Sequence, residues 1–154
     1  WAYGRFGQAH GKPGKQFAGR VAAAALLAGG LYTGWPAPAQ AAPAVRPSSS
    51  IKEVIVTITK NRLGAAAVTD DNNKVLGIVT DGDLRRMLEN NDSIGNLTAA
   101  DIMSVSPKTI TSGALAAEAL EVMRAFDISQ LLVLDNESYA GIVHLHDLVR
   151  EGII

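Results

Sequence analysis

From residue 51 onward the apolar positions of the chain fall into short, regularly spaced blocks. Ile51, Val54, Ile55 and Ile58 sit at the i, i+3, i+4, i+7 spacing of one helical face. The same stretch is β-branched from Val54 to Thr59, which by propensity alone favours a strand. A second copy of the pattern, shifted by 65 positions, resolves the conflict. Residues 51–58 lie over 116–123, Leu63 over Ile128, and Val68-Thr69-Asp70 over Val133-Leu134-Asp135. After one deletion, Gly77-Ile78-Val79-Thr80-Asp81-Gly82-Asp83-Leu84 lies over Gly141-Ile142-Val143-His144-Leu145-His146-Asp147-Leu148. The second copy of the ambiguous block, residues 115–126, is rich in Ala, Leu, Glu and Met, and places Leu115, Ala119, Val122 and Phe126 on one stripe. Both copies are therefore read as helices.

Each copy then reads as a short strand (Val45; Thr109-Ile110), a helix, a strand (65–69; 131–134), a turn, a strand (75–79; 139–143) and a helix. The turns Asp70-Asp71-Asn72-Asn73 and Asp135-Asn136-Glu137 suit hairpins, because Asn and Asp tolerate positive φ. The fold class expected is α+β: two β-α-β-β-α lobes, each a small sheet with helices on one face. Residues 1–44 form an irregular Ala/Gly/Pro-rich segment, 45–93 the first lobe and 101–154 the second. Lobes of about 50 residues bury too little surface to be robust alone, so the two are expected to pack as a pseudo-two-fold pair. Two-fold packing leaves clefts, where small molecules tend to bind.

Charge divides the chain at the same place as the pattern. The net charge is −1, yet residues 1–50 hold Arg5, Lys12, Lys15, Arg20 and Arg46 and no acid, and all the acids lie in 51–154. Near-neutrality gives no global pull toward nucleic acid or membrane. The absence of cysteine excludes a disulfide framework, a cysteine-ligated zinc site and a thiol nucleophile. The Ala-rich run 21–31, with basic residues before it and Ala39-Gln40-Ala41 after it, has the order of a secretory signal. Against that, the chain starts at Trp1, the run begins well inside it, and it is far shorter than the ~20 residues of a membrane span. A linker or irregular leader is the expectation.

Candidate chemistry concentrates after the last strand of each copy. Thr80-Asp81-Gly82-Asp83 has the capping-box pattern, a hydroxyl with an acid three residues later. It also suits a nucleotide: helix N-termini favour phosphate, and an Asp accepts both hydroxyls of a ribose diol. The two roles are compatible. In the second copy Asp147 keeps the acid but His144 replaces the hydroxyl, which a pure capping box does not predict and which weighs toward a ligand. His144, His146 and Asp147 are open to three readings: capping, ligand recognition through a phosphate or carboxylate, or metal. The last is disfavoured because a metal needs at least three converging ligands. Arg85, Arg86 and Arg150 follow the helix starts; they are solvated charges or, for Arg86 and Arg150, anion contacts. Gly64-Ala65 and Ser129-Gln130 open the central strands, where small residues let a base approach the backbone. No Gly-rich phosphate loop, serine elbow or carboxylate pair beside a nucleophile is present, so no catalytic residue is assigned and no cofactor is required.

The doubled unit, with its Gly-Ile-Val-Thr-Asp-Gly-Asp-Leu-Arg-Arg and Gly-Ile-Val-His-Leu-His-Asp-Leu strings, resembles a tandem pair of cystathionine-β-synthase (CBS) domains, a Bateman module. Asp101-Ile102-Met103 resembles the lead-in to the second CBS unit. The resemblance implies a regulatory sensor of adenosine-type ligands, with Thr80 and Asp83 matching the family's Thr/Ser-x-x-Asp ribose and phosphate contacts. In the second unit only Asp147 matches, and His144 departs. More narrowly, the two strings resemble the C-terminal half of bacterial arabinose-5-phosphate isomerases, which make the precursor of the lipopolysaccharide sugar Kdo. His10-Gly11-Lys12-Pro13-Gly14 and Leu31-Tyr32-Thr33 are loosely similar to the segment joining that family's sugar-isomerase (SIS) domain to its CBS pair. The resemblance implies a cytoplasmic regulatory module, an adenosine nucleotide or CMP-Kdo as ligand, a SIS domain and further copies of the chain as partners, and no nucleic acid or membrane. A ligand-free oligomerisation module, or the CBS pair of another enzyme or a transporter, remains the alternative.

Overall fold

The computed structural model describes residues 42–150. The basic leader, the apolar run 21–31, His10 to Gly14 and Leu31 to Thr33 lie outside the described residues. The element order is β1 (Ala44–Val45), α1 (Ile51–Asn61), β2 (Ala65–Thr69), β3 (Val75–Thr80), α2 (Asp81–Asn90), α3 (Ala99–Ile102) and β4 (Ser104–Val105). There follow β5 (Thr109–Thr111), α4 (Ala116–Phe126), β6 (Gln130–Asp135), β7 (Ser138–His144) and α5 (Leu145–Arg150). This is the mixed α and β fold that the repeat predicts. The chain forms two compact units: Ala42–Lys108 with Glu137–Tyr139, and Thr109–Asn136 with the chain from Ala140. The compact units and the sequence repeat divide the chain at different points. The second copy of the repeat opens near Asp101, whereas α3 and β4 belong to the first unit.

The first unit is built on a four-stranded sheet in the order β1-β2-β3-β4. β1 runs parallel to β2, with Ala44 opposite Ala67 and Val45 opposite Val68. β2 and β3 pair antiparallel from Ala65 opposite Thr80, with an irregularity at Val68/Thr69. The second unit repeats the arrangement in a three-stranded sheet, β5-β6-β7. There β5 is parallel to β6, with Thr109 opposite Leu132 and Ile110 opposite Val133. Each of these partners is the first unit's shifted by 65 positions.

The helices begin where side chains satisfy the otherwise orphaned N–H groups of a first turn. At α1, Ser50 Oγ accepts the Glu53 N–H at 3.3 Å and Glu53 Oε2 accepts the Ser50 N–H at 2.9 Å, a full capping box. At α4 no hydroxyl is present, and Glu118 Oε2 alone accepts the Leu115 N–H, at 2.6 Å. At α3, Asp101 Oδ2 accepts both the N–H and the hydroxyl of Thr98, which holds its carboxyl below the ordinary range. Both long first-position helices stop at left-handed residues, Arg62 (φ 57°) and Asp127 (φ 51°). The hairpin turns are those expected from Asn and Asp. Asp70 Oδ1 accepts the N–H groups of Asn72 and Lys74, and Asn73 takes φ 61°. Asn136 and Glu137 are both left-handed, as a two-residue turn matched to strand twist requires. Tyr139, in the first unit, donates its hydroxyl to the Pro43 carbonyl at 2.9 Å, and its backbone exchanges hydrogen bonds with Asn73. Burial pushes its phenol pKa up.

The two cores are repeat-related position by position. Val54, Ile58, Ala66, Val68 and Val79 are buried in one; Ala119, Met123, Leu131, Val133 and Val143 are their counterparts in the other. Volume has moved between layers. In the first unit Val54 of α1 shares its core with Ala66 of β2. At the repeat-related positions of the second, Ala119 of α4 shares its core with Leu131 of β6. Close packing makes such paired changes tolerable where single ones are not. The buried face of α4 is Ala116, Ala119 and Met123, and this corrects the stripe expected from its own sequence: Leu115 is 37% exposed and Phe126 52%. The stripe at α1, carried across by the repeat, gives the face that is buried.

This packing is open to test at two places. A Cβ on Gly77 would lie 2.9 Å from the Ser104 carbonyl oxygen and 2.7 Å from Met103 Sδ, so β4 cannot stay seated. Gly77→Ala is expected to cost about 1–3 kcal/mol in urea denaturation. Gly82→Ala, whose Cβ finds only Thr80 Oγ1 at 3.5 Å, is expected to be neutral or stabilising by up to about 1 kcal/mol. The second place is the volume pattern, transferred from the second unit to the first. Ala66→Leu alone is expected to destabilise by about 1–3 kcal/mol, and Val54→Ala added to it to recover at least ~0.5 kcal/mol relative to additivity.

Candidate functional site

Strand β3 ends at Thr80, which is both the last ladder residue and the N-cap of α2. The strand-to-helix corner is closed by Asp81, whose N–H donates to the Gly64 carbonyl at 3.0 Å. Gly64 stands at φ 65°, a conformation glycine adopts without the Cβ penalty. The second unit makes the same closure with Leu145 N–H on the Ser129 carbonyl at 2.8 Å. Ser129 and Gly64 thus act through their carbonyls, at repeat-related positions beside the helix starts. Gln130, the first residue of β6, receives a contact from the Ser129 hydroxyl at 3.4 Å.

At the first corner the structure brings Thr80, Asp83 and Arg86 together and adds Ser104. Asp83 is 5% exposed. Its Oδ2 accepts the Thr80 N–H at 2.8 Å and the Thr80 hydroxyl at 2.7 Å. Its Oδ1 accepts the Ser104 hydroxyl at 3.1 Å and pairs with the Arg86 guanidinium. A carboxylate offers about four acceptor positions, and four donors occupy them. Bonds to a charged acceptor contribute roughly 1.5–3 kcal/mol each, so this carboxylate anchors α2 and β4 onto the end of β3. The Arg86 side chain is 66% exposed, which reduces its own ion pair to about 0–1 kcal/mol. The same exposure leaves most of the guanidinium facing solvent while Asp83 holds one end of it. Asp81 and Asp83 in the first turn complement the positive end of the helix.

Ser104 is the member of this cluster that sequence reasoning missed. It lies in the lead-in to the second lobe, on a two-residue strand paired to β3 with Ile78 opposite Ser104. Its nearest sequence signal is its place just after the Asp101-Ile102-Met103 lead-in.

At the second corner, His144, His146 and Asp147 converge. Asp147 Oδ2 accepts the His144 N–H at 3.0 Å, repeating the Asp83 bond. The His144 imidazole then does what the Thr80 hydroxyl does: its Nδ1 accepts a first-turn N–H, that of His146, at 3.0 Å. This corrects the inference that a histidine here speaks against a cap. An unprotonated ring nitrogen is an acceptor of the same kind as a hydroxyl oxygen, so the substitution preserves capping. It also fixes the tautomer, with the proton on Nε2. The two imidazoles stack with centroids 4.9 Å apart and planes at 17°. Burial, and then the charge of His146, hold the His144 pKa below the ordinary histidine range; Asp147 opposes them. Arg150 is the last described residue of α5, and its side chain lies outside the described residues. Among the described residues no three His, Asp or Glu side chains are placed to hold a metal ion. Nor is any described helix long and apolar enough to cross a membrane.

Comparison with known proteins agrees with this geometry. The chain matches the CBS domain family over residues 39–90 and 99–153. It is 35% identical over 112 residues to the arabinose 5-phosphate isomerase KdsD of Escherichia coli K12, covering 73% of this chain and 34% of that protein. The chain thus spans about a third of the length of such relatives. The fold is similar to that of the CBS domain of NE2398, with a TM-score of 0.67 and 21% identity over 73% of this chain and 88% of that one. It is likewise similar to the CBS domain protein PAE2072 from Pyrobaculum aerophilum, solved in complex with AMP (TM-score 0.63, 22% identity, 70% and 83% coverage). Two repeat-related units, each ending in a strand whose last residue caps a helix through an acid three positions on, are thus a tandem pair of CBS domains, and the chain belongs to the CBS domain family.

Proposed function

We propose that this CBS pair is the regulatory part of a sugar-phosphate isomerase of the arabinose-5-phosphate type, and that it senses a nucleotide or nucleotide-sugar. The observation that carries the reading is the likeness to KdsD across the whole repeat. The ligand class is supported by the AMP complex of the Pyrobaculum aerophilum protein. In the first unit, Thr80, Asp83 and Arg86 form the recognition corner, with the exposed Arg86 guanidinium as the anion contact. In the second, Ser129, Gln130, His144, His146 and Asp147 form it, with the His144 Nε2–H as a neutral donor and Arg150 as a second anion contact. Adenosine nucleotides and CMP-Kdo are the ligands to try. The parent's SIS domain supplies the chemistry, in the cytoplasm, and copies of the chain associate through their CBS pairs.

One observation favours the ligand-free alternative. Asp83 already accepts four hydrogen bonds from its own unit, which is what a purely structural carboxylate does. A ribose diol would have to displace Ser104 or Arg86 from it. A thermal-shift panel of AMP, ATP, S-adenosylmethionine and CMP-Kdo separates the readings. A true ligand at about 100 times its Kd is expected to add roughly 2.7 kcal/mol of stability; a flat panel supports an assembly module. By calorimetry, Arg86→Ala or Asp147→Ala is expected to weaken a ligand about tenfold to a hundredfold, the loss of one charge-assisted bond. Arg86→Ala is the cleaner variant, because Asp83→Ala also releases four structural donors. This chain alone is expected to give no turnover of arabinose 5-phosphate.

A further inference from the structure

The two units start their last helices with different chemistry. In the first, the Asp83 N–H is accepted by the Thr80 hydroxyl at 3.3 Å, an acceptor whose character does not change with pH. In the second, the His146 N–H is accepted by His144 Nδ1, which is an acceptor only while the ring is neutral. Protonation would set an Nδ1–H against a backbone N–H at 3.0 Å, replacing an attraction with a repulsion. It would also place a cation against the stacked His146 ring.

We propose that His144 is a proton switch: its protonation breaks the imidazole half of the α5 cap while the Asp147 half stays, so the first turn of this helix loosens in acid while that of α2 does not. This inference does not rest on nucleotide binding. His144 is half-buried, and the charged groups around it are few. From its own segment, His146 disfavours the charge and the Asp147 carboxylate favours it. From α4, the buried side chains are Ala116, Ala119 and Met123, with Glu118, Glu121 and Arg124 exposed. The segment leading into β6 contributes the uncharged Ser129 and Gln130, and β6 the apolar Leu131 and Val133; Asp127 is exposed. A histidine held below its ordinary value binds fewer protons folded than unfolded. Stability is therefore full above about pH 6.5, the unfolded value, and is lost as pH falls through it toward the folded value. The described part of α5 is held to the core by Leu148 and, in part, by Leu145, so the loosening expected is that of its first turn.

Amide hydrogen exchange of the full chain tests this, with rates corrected for the intrinsic pH dependence. Protection of the His146 amide is expected to fall about tenfold or more between about pH 7.5 and about pH 5, and that of the Asp83 amide to stay level. His144→Thr, which installs the first unit's residue, is expected to move the cap to the Asp147 N–H, as Thr80 caps Asp83, and to hold protection of the Asp147 amide level across the same range. Unchanged His146 protection in the parent, or an equal fall of Asp147 protection in His144→Thr, overturns the proposal. Should that variant not fold, the imidazole nitrogen shifts of the unmodified protein decide. An unprotonated Nδ1 on His144 at neutral pH that gains its proton as His146 protection drops supports the switch; an Nδ1–H tautomer at neutral pH refutes it.

Discussion

Every helix start among the described residues depends on one interaction, an acid three positions into the helix accepting the N–H of the residue before it. Glu53, Asp83, Asp101, Glu118 and Asp147 do this for Ser50, Thr80, Thr98, Leu115 and His144. The residue at the cap itself varies, from hydroxyl to imidazole to a leucine with no acceptor at all. The acid does not vary in kind. It satisfies an orphan donor and places negative charge at the positive end of the helix, and it fixes the angle at which each strand turns into the helix. In the β3–α2 corner the same carboxylate recruits Ser104 and Arg86, so a local cap becomes the joint of strand, helix and edge strand.

Most of this fold is legible in the order of the residues alone. The repeat identifies α1 as a helix against its own β-branched sequence, because a helical period seen in a good helix former transfers to its ambiguous copy. The turns are legible from Asn and Asp, and Asn73 and Asn136 take the positive φ those residues suggest; Glu137 takes it as well, through its place in the turn rather than its residue type. Illegible features lie where the repeat gives no second sample. α3 and β4 have no counterpart among the described residues, and β4 is two residues long, below the length at which alternation means anything. Ser104 is hidden with it. Of the α4 stripe, Ala119 is buried and Val122 packs on the core, whereas Leu115 and Phe126 at its two ends are exposed; the residues it passes over are Ala116, a weak hydrophobe, and Met123.

The candidate site is legible in its residues and misleading in one of its roles. Thr80, Asp83 and Arg86 do converge, as do His144, His146 and Asp147. Capping and histidine look incompatible in the sequence, because propensities rank caps by hydroxyl and carboxyl oxygens. The hydrogen bond itself needs only a lone pair at the right height. Within one chain, the repeat therefore holds two solutions to the same end-cap, one indifferent to protons and one not.

The exchange of volume between helix and strand has a consequence for how such a protein can change. A tandem repeat invites recombination between its own halves. Here a crossover falling between the first helix and the central strand would join the bulky helix Ile51–Asn61 to the leucine-bearing strand Gln130–Asp135, or the alanine helix to the alanine strand. One product is overfilled and the other hollow. Although the halves share a blueprint, they are not interchangeable parts, and drift in one layer of a unit is answerable only by drift in the layer it touches.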